Sequence, residues 1–142
     1  MFRGTYYPSL DAKNRFFLPA PFRDELGTEV VLFKSPDKEA KCIYLYTEDR
    51  WNEVSNGFTE KLPDNRAGRA LNRKLMANAL NAEVDKSGRL TINQLFREYA
   101  NIEKELVVLG VTQRIEIWSK EEWLKEQEAI ESLTVENMGI RF

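Results

Sequence analysis

Short apolar runs separated by polar turns recur along the chain and predict a protein built mainly from β-strands. Four apolar, β-favouring runs are typical of buried strands: residues 30–33, 43–46, 106–109 and 115–118. Shorter extended segments flank two polar turns: 5–10 and 15–18 around turn 11–14, and 82–84 and 89–92 around turn 85–88. Strands do not alternate with long helices, so a parallel sheet is not expected. The pattern predicts mainly β structure with peripheral helices, an α+β class.

Helices are predicted where capping residues precede polar segments. Thr47 precedes one helix, and Ser119 precedes another with Glu122 three residues further on, as in a capping box. Pro21 and Asn93 suit the starts of two short helices. We expect the last helix to run from about residue 120 to 133, followed by a tail without a clear pattern.

The second half of the chain repeats the first. The turn Asp11-Ala12-Lys13-Asn14-Arg15 returns as Asp85-Lys86-Ser87-Gly88-Arg89, and the apolar strands follow in the same order up to Trp51 and Trp123. Two copies are too few for a solenoid. We therefore expect two half-domains, related by a pseudo-two-fold axis, that complete each other in a small closed β-barrel. Closure would remove exposed strand edges. Both tryptophans are expected in the core.

The fourth position of each turn is Asn14 in one copy and Gly88 in the other. Glycine and asparagine are the residues that most readily accept a positive φ angle. Their equivalence predicts a left-handed residue at this position in both turns.

Composition narrows the class of protein. Hydrophobic content of 42%, charged content of 31% and one cysteine, Cys42, describe a single globular domain without disulfides. No apolar run is long enough for a membrane span, so a cytoplasmic protein is expected. The chain has no histidine, Gly-rich phosphate loop or cysteine cluster. Neither an enzyme nor a cofactor or metal site is expected. A net charge of −2 argues against coating nucleic acid by bulk electrostatics.

A segment between the two copies is locally basic. Arg66, Arg69 and Arg73 share one face of a predicted helix. The opposite face carries three apolar residues, Ala67, Leu71 and Leu75. Three roles for the arginines stay open: a solvated face, a DNA contact, or a contact with acidic residues of a neighbouring subunit's last helix, such as Glu126, Glu128 and Glu131.

Several motifs in fixed order resemble the bacterial MraZ proteins. They are Met1-Phe2-Arg3-Gly4, the turn 11–15 followed by Leu18-Pro19 and Phe22-Arg23, the turn 85–89, and Ile115-Glu116-Ile117-Trp118. The resemblance extends from Met1 to about Trp123. Two departures are small: Asn14 stands where the family often has glycine, and Asn93 stands where the first copy has Pro19.

The resemblance implies a fold and a function. Members of this family are similar to the AbrB-type regulators, whose swapped hairpins form a double-split β-barrel. They assemble into rings and regulate transcription by binding repeated boxes upstream of the division and cell wall gene cluster. The partners implied are double-stranded promoter DNA and further copies of the chain, in the cytoplasm and on the nucleoid, with no small-molecule substrate.

The resemblance also implies where DNA binds, because the family's contacts are attributed to its Asp-x-x-x-Arg turns. The candidate residues are Asp11, Lys13, Asn14, Arg15, Asp85, Lys86, Gly88 and Arg89. The arginine fork matches phosphates and guanine edges, and the lysines would add phosphate contacts. The simpler interpretation is a turn former with a surface ion pair of little energetic weight. A ring-forming protein-interaction scaffold with incidental DNA binding is the alternative function.

We divide the chain into four segments within one structural domain. Residues 1–54 form the first AbrB-like half, 55–81 a basic helical connector, 82–133 the second half with the C-terminal helix, and 134–142 the tail.

Overall fold

The computed structural model describes all residues, 1–142, and contains eight strands and five helices. The strands are β1 (Thr5–Tyr6), β2 (Arg15–Phe17), β3 (Glu29–Lys34), β4 (Ile43–Thr47), β5 (Ala79–Glu83), β6 (Arg89–Thr91), β7 (Leu106–Val111) and β8 (Arg114–Ser119). The helices are α1 (Ala20–Leu26), α2 (Glu48–Lys61), α3 (Arg66–Ala77), α4 (Gln94–Tyr99) and α5 (Lys120–Ile130). The predicted α+β class with two internal repeats is confirmed. None of the helices combines the length and the apolar character needed to cross a membrane.

The strand order shows how the two repeats exchange strands. A six-stranded antiparallel sheet has the order β1-β7-β8-β4-β3-β5, and β2 pairs with β6 in a separate two-stranded sheet. The counterparts in the two repeats are β1 and β5, β3 and β7, and β4 and β8. When each strand is replaced by its counterpart, the same order results, read from the other end of the sheet. The first strand of each repeat pairs with the strand pair of the other repeat, as a swapped-hairpin arrangement requires. The hydrogen bonds are divided between two sheets, and closure into a barrel stays a prediction.

A single core lies between the sheets. It contains 20 buried apolar residues from both repeats. The two-stranded sheet, which we call the ribbon, contributes Phe16 and Leu90, which are 1% and 0% exposed and face each other across β2 and β6. Each such side chain stabilises the fold by about 1.5–3 kcal/mol through burial. The inner face of the ribbon is therefore anchored, and its outer face is left to solvent.

Trp51 is buried as predicted, whereas Trp123 is only half-buried and packs against an apolar cluster. Trp51 of α2 lies 5.1 Å from Phe33 between ring centroids, and Trp123 of α5 lies 5.3 Å from Trp118. Cys42 is fully buried beside Trp118, and burial raises the pKa of its thiol far above the ordinary value. These clusters hold α2 and α5 on the outside of the large sheet.

The predicted helix caps are confirmed. The side chains of Thr47, Asn93 and Ser119 each accept a hydrogen bond of 3.0 Å from the backbone N–H three residues ahead. Helix α5 ends at Ile130 instead of residue 133. The predicted end was wrong because Leu133 is 71% exposed and has no core to pack against.

Two predicted extended segments differ by three or more residues at one end from the strands that form. Segment 5–10 is a strand only at Thr5–Tyr6, because Pro8 has no N–H for the ladder with β7 and contributes only its carbonyl. Strand β5 begins at Ala79, inside the segment predicted as the helical connector, and α2 runs across residues 54 and 55. These elements cross two of our segment boundaries, and the division into segments stays a prediction.

Helix α3 turns its apolar stripe only partly inward. Leu75 packs against the Trp51 cluster, whereas Leu71 is 43% exposed and Ala67 is also exposed. Gly68 is the buried residue of the helix, since a Cβ there would lie 1.8 Å from the carbonyl oxygen of Pro63. Close approach at this glycine sets the rotation of the helix and leaves Leu71 at the surface.

Candidate nucleic-acid interface

The first Asp-x-x-x-Arg turn is organised by one carboxylate. Asp11 Oδ1 accepts hydrogen bonds from the backbone N–H groups of Lys13 (2.8 Å) and Arg15 (3.0 Å), and its Oδ2 accepts one from Arg15 Nε (2.9 Å). The backbone N–H of Asn14 donates to the Asp11 carbonyl at 3.0 Å. Only Nε of the guanidinium is engaged, so both terminal nitrogens of Arg15 are free to bind a further acceptor.

The second turn repeats this arrangement. Asp85 Oδ1 accepts from the backbone N–H groups of Ser87 (3.0 Å) and Arg89 (2.8 Å), and Oδ2 accepts from Arg89 Nε at 2.9 Å. The Arg89 terminal nitrogens are again without a partner in the chain. Two independent stretches of sequence thus orient a guanidinium in the same way.

The hydrogen bonds keep both carboxyl groups ionised. The pKa of Asp11 is lowered chiefly by the backbone N–H of Arg15, and the pKa of Asp85 chiefly by the backbone N–H of Arg89; the guanidinium hydrogen bonds add to the effect. Each aspartate therefore carries its charge throughout the neutral pH range. It positions the arginine and neutralises part of its charge at the Nε side.

Both turns close through a left-handed residue, as predicted. Asn14 has φ 61° and Gly88 has φ 85°. The carbonyls of these residues reach across to the other repeat: Leu18 N–H donates to Gly88 (2.9 Å), and Ile92 N–H donates to Asn14 (3.0 Å). Each turn is consequently fixed by the strand of the other repeat, and neither is a free loop.

The ribbon places both arginines on one surface. Arg15 begins β2 and Arg89 begins β6, and the register pairs Arg15 with Thr91 and Arg89 with Phe17. Residues that pair across the two strands, and residues two positions apart on one strand, lie on the same face of the ribbon. Both arginines therefore lie on the face opposite to the buried Phe16. Their Cα atoms are about 8 Å apart, given strand spacing and rise. The side chains are 25% and 28% exposed. The predicted arginines are brought together.

The predicted lysines occupy different positions in the two turns. Lys13 is the third turn residue of the first copy, whereas Lys86 is the second turn residue of the second copy. Both are exposed, and neither Nζ forms an ion pair within the chain. Each adds a positive charge to its turn, but the two lysines are not equivalent by the pseudo-two-fold axis.

Two further arginines lie beside the turns, and the sequence analysis missed them as site residues. Arg23 Nε donates to the Leu18 carbonyl at 2.9 Å, and its guanidinium carbon lies 2.7 Å from where a Cβ on Gly88 would be. Arg97 donates to the equivalent carbonyl, that of Ile92, but through the terminal nitrogen Nη1 instead of Nε. Neither makes a salt bridge. The repeated Phe-Arg pairs were the available signal.

The basic stripe of α3 is not part of this surface. Its helix contacts β5 and packs on the cluster around Trp51, on the outside of the large sheet. Arg69 pairs with Asp64 at 3.2 Å, and Arg66 and Arg73 have no acidic partner within the chain. No ion pair joins the stripe to the acidic residues of α5 within the chain, and the three roles considered for the stripe stay predictions.

The fold and the duplicated turns define a class: two-repeat α+β proteins with swapped strands and paired Asp-x-x-x-Arg turns. The family model described as "MraZ protein, putative antitoxin-like" matches residues 1–74 and again 75–138. The chain belongs to the MraZ family.

Relatives named "Transcriptional regulator MraZ" resemble nearly the whole chain. The protein of Caldicellulosiruptor saccharolyticus is 42% identical over 98% of this chain and 94% of the relative. That of Clostridium botulinum (strain Alaska E43 / Type E3) is 42% identical over 91% and 89%. That of Caldanaerobacter subterraneus subsp. tengcongensis is 40% identical over 87% and 84%.

Proposed function

We propose that the protein is a DNA-binding transcriptional regulator that holds duplex DNA with its two Asp-x-x-x-Arg turns. One observation carries the proposal: Arg15 and Arg89 lie on one face of the ribbon, each fixed through Nε and each with two free terminal nitrogens. A planar pair of N–H donors matches guanine O6 and N7 or two phosphate oxygens. A surface ion pair alone would not require both copies to be built alike.

The overall charge of the protein suits selective binding. A net charge of −2 repels bulk DNA, so binding depends on the local positive surface formed by the arginines, Lys13 and Lys86. We expect affinity to fall steeply with salt, by about 0.9 log units per log unit of salt for each phosphate neutralised.

We further propose that the protein acts as a ring of identical subunits. Three large apolar side chains on α3 and β5 support self-association: Leu71, Met76 and Leu80 are 43%, 45% and 39% exposed. A ring would present the ribbon several times. Simultaneous binding of spaced repeats gains about 10²–10⁴ over a single site through effective concentration.

The target we propose is a set of repeated short boxes upstream of the division and cell wall gene cluster. The relatives' name, "Transcriptional regulator MraZ", supports regulation as the role. A cytoplasmic location with association to the nucleoid follows from that role, and an enzymatic function is not part of the proposal.

The test is a footprint and titration on DNA upstream of the protein's own coding region, with scrambled DNA as reference. Arg15→Ala and Arg89→Ala should each weaken binding by about tenfold or more, as expected for loss of one bidentate contact. Arg141→Ala, which removes one positive charge from the tail, is the matched control. Light scattering should give the same oligomer mass for all variants.

Two results would contradict the proposal. An unchanged titration curve for Arg15→Ala and Arg89→Ala would remove the turns from the binding site. Equal affinity for scrambled and upstream DNA would instead support the alternative, a ring-forming protein-interaction scaffold with incidental DNA binding, because specific sites are bound several kcal/mol more tightly than random ones.

A further inference from the structure

The outer face of the ribbon carries two uncharged residues between the arginines. Phe17 lies opposite Arg89, and Thr91 lies opposite Arg15. Phe16 and Leu90 point into the core, so the alternation of strands places Phe17 and Thr91 on the same outer face as the two arginines. This face therefore has four side chains in two cross-strand pairs.

Phe17 is exposed although it lies in the middle of a polar surface. Its side chain is 56% exposed and belongs to none of the three apolar clusters. The guanidinium carbon of Arg89 lies 5.9 Å from the centre of its ring, within cation–π range. Thr91 is likewise exposed. Core packing explains neither side chain, whereas their position beside the arginines connects both to the proposed binding surface.

The shape and chemistry of this face match the major groove of DNA. A two-stranded β-ribbon fits a groove about 12 Å wide, since its strands are about 5 Å apart. Within that groove an arginine binds guanine, and the phenyl ring of phenylalanine or the methyl group of threonine contacts the 5-methyl group of thymine. The ribbon carries both kinds of group as neighbours.

We propose that Phe17 and Thr91 are specificity-determining residues, each contacting a thymine methyl group next to the base or phosphate held by its arginine partner. This inference rests on the proposed function and extends its site beyond the turns. Phe17 and Thr91 occupy equivalent positions of the two repeats, as do Arg15 and Arg89. The two ends of the ribbon consequently present different groups, and the protein binds its site in one orientation along the DNA.

The experiment starts by selecting the preferred box from a pool of random duplexes with the wild-type protein. Each thymine of that box is then replaced, one at a time, by deoxyuridine, which lacks only the methyl group. At one thymine the replacement should weaken wild-type binding about fourfold, the transfer free energy of one methyl group, and should have no effect on Phe17→Ala. At a different thymine the sensitivity should disappear in Thr91→Ser, which keeps the hydroxyl group.

A matched control separates these effects from general changes. Leu124→Ala removes an apolar side chain that is 55% exposed on α5, on the large sheet, and should keep every deoxyuridine sensitivity. Thermal unfolding should show Phe17→Ala to be folded, since the ring is outside the core. The deoxyuridine series on wild-type protein tests the inference without any variant.

The possible failures are distinguishable. If the wild-type protein selects no box, the proposed function itself fails. If it selects a box and Arg15→Ala loses it, but no deoxyuridine replacement weakens binding, the inference fails alone. The inference also fails alone if the box contains no thymine, or if Phe17→Ala and Thr91→Ser both retain the wild-type sensitivities.

Discussion

The two repeats have kept the same backbone and diverged on the outside. In both turns the aspartate accepts two backbone N–H groups and one Nε at distances between 2.8 and 3.0 Å. On the inner face, Phe16 and Leu90 are equally buried. On the outer face, phenylalanine in one repeat corresponds to threonine in the other, and the lysines stand at different turn positions. The shared turn geometry and inner face are needed for folding. The residues that differ, on the outer face and in the turns, are not needed for folding and are available for binding.

The inner face gives the first test of this comparison. Phe16→Ala and Leu90→Ala remove buried side chains that oppose each other in the ribbon. Through lost burial and a residual cavity, Phe16→Ala should lower the free energy of unfolding by about 3–5 kcal/mol and Leu90→Ala by about 2–5 kcal/mol. Phe17→Ala, on the outer face one residue away, should change it by less than about 0.5 kcal/mol.

Denaturant unfolding at equilibrium measures these three variants. The comparison predicts equal importance of the two repeats for the core. It would be wrong if Phe16→Ala unfolded the protein while Leu90→Ala cost less than about 1 kcal/mol, because the ribbon would then depend on one repeat only.

The fourth turn position provides a smaller test. Asn14 and Gly88 both have positive φ, which glycine and asparagine tolerate. A side chain at position 88, however, would require the Arg23 guanidinium to leave the Leu18 carbonyl. Gly88→Asn should therefore destabilise the protein by about 1 kcal/mol, the net value of one hydrogen bond, whereas Asn14→Gly should stay within about 0.5 kcal/mol of wild type.

A second background checks the cause. In Arg23→Ala the carbonyl has already lost its partner, so Gly88→Asn should cost almost nothing further in thermal or denaturant unfolding. An undiminished cost in that background would mean that the backbone of the second turn, and not Arg23, excludes a side chain. The two turns would then differ in conformation rather than in packing.

Much of the fold follows from local signals in the sequence. Apolar runs predicted the four long strands to within about one or two residues at their ends, and Thr47, Asn93 and Ser119 marked helix starts correctly. The exchange of strands was expected from the family resemblance. Local pattern could not show it, because β1 has only two residues and pairs with β7, far away in the chain.

Only those parts of the site that are duplicated in the sequence could be predicted. The Asp-x-x-x-Arg turns, with Asn14 and Gly88 at their left-handed position, could be predicted because they occur at equivalent positions of both repeats. Arg23 was missed because its role depends on a contact with a turn of the other repeat. Leu71 belongs to an apolar stripe in the sequence, yet with Gly68 held close to Pro63 only Leu75 of that stripe packs inward, and Leu71 stays at the surface. Such contacts depend on tertiary packing, which residue spacing does not encode.

The acid titration of the two aspartates gives the subtlest test of equivalence. Hydrogen bonds lower the pKa of both Asp11 and Asp85 below 3.8. A carboxyl group with a lowered pKa stabilises the folded turn in full above its ordinary pKa, and this contribution is lost as the pH falls through the lowered value. The chain has no histidine, so the turns should be unchanged between about pH 5 and 8.

Carboxyl carbon chemical shifts, followed by NMR from pH 7 to 2, measure both groups in one sample. Both midpoints should lie below 3.8. Arg15→Ala should raise the midpoint of Asp11 and leave that of Asp85 unchanged, and Arg89→Ala should do the reverse, because each guanidinium bonds only the aspartate of its own turn. A midpoint at or above 3.8 in one turn of the wild-type protein would show that the hydrogen bonds to this carboxylate, chiefly the one from the backbone N–H of its arginine, are weaker than in the other turn. The two guanidinium groups would then not be equivalent, and the repeats would differ in their backbone geometry as well as on their outer face.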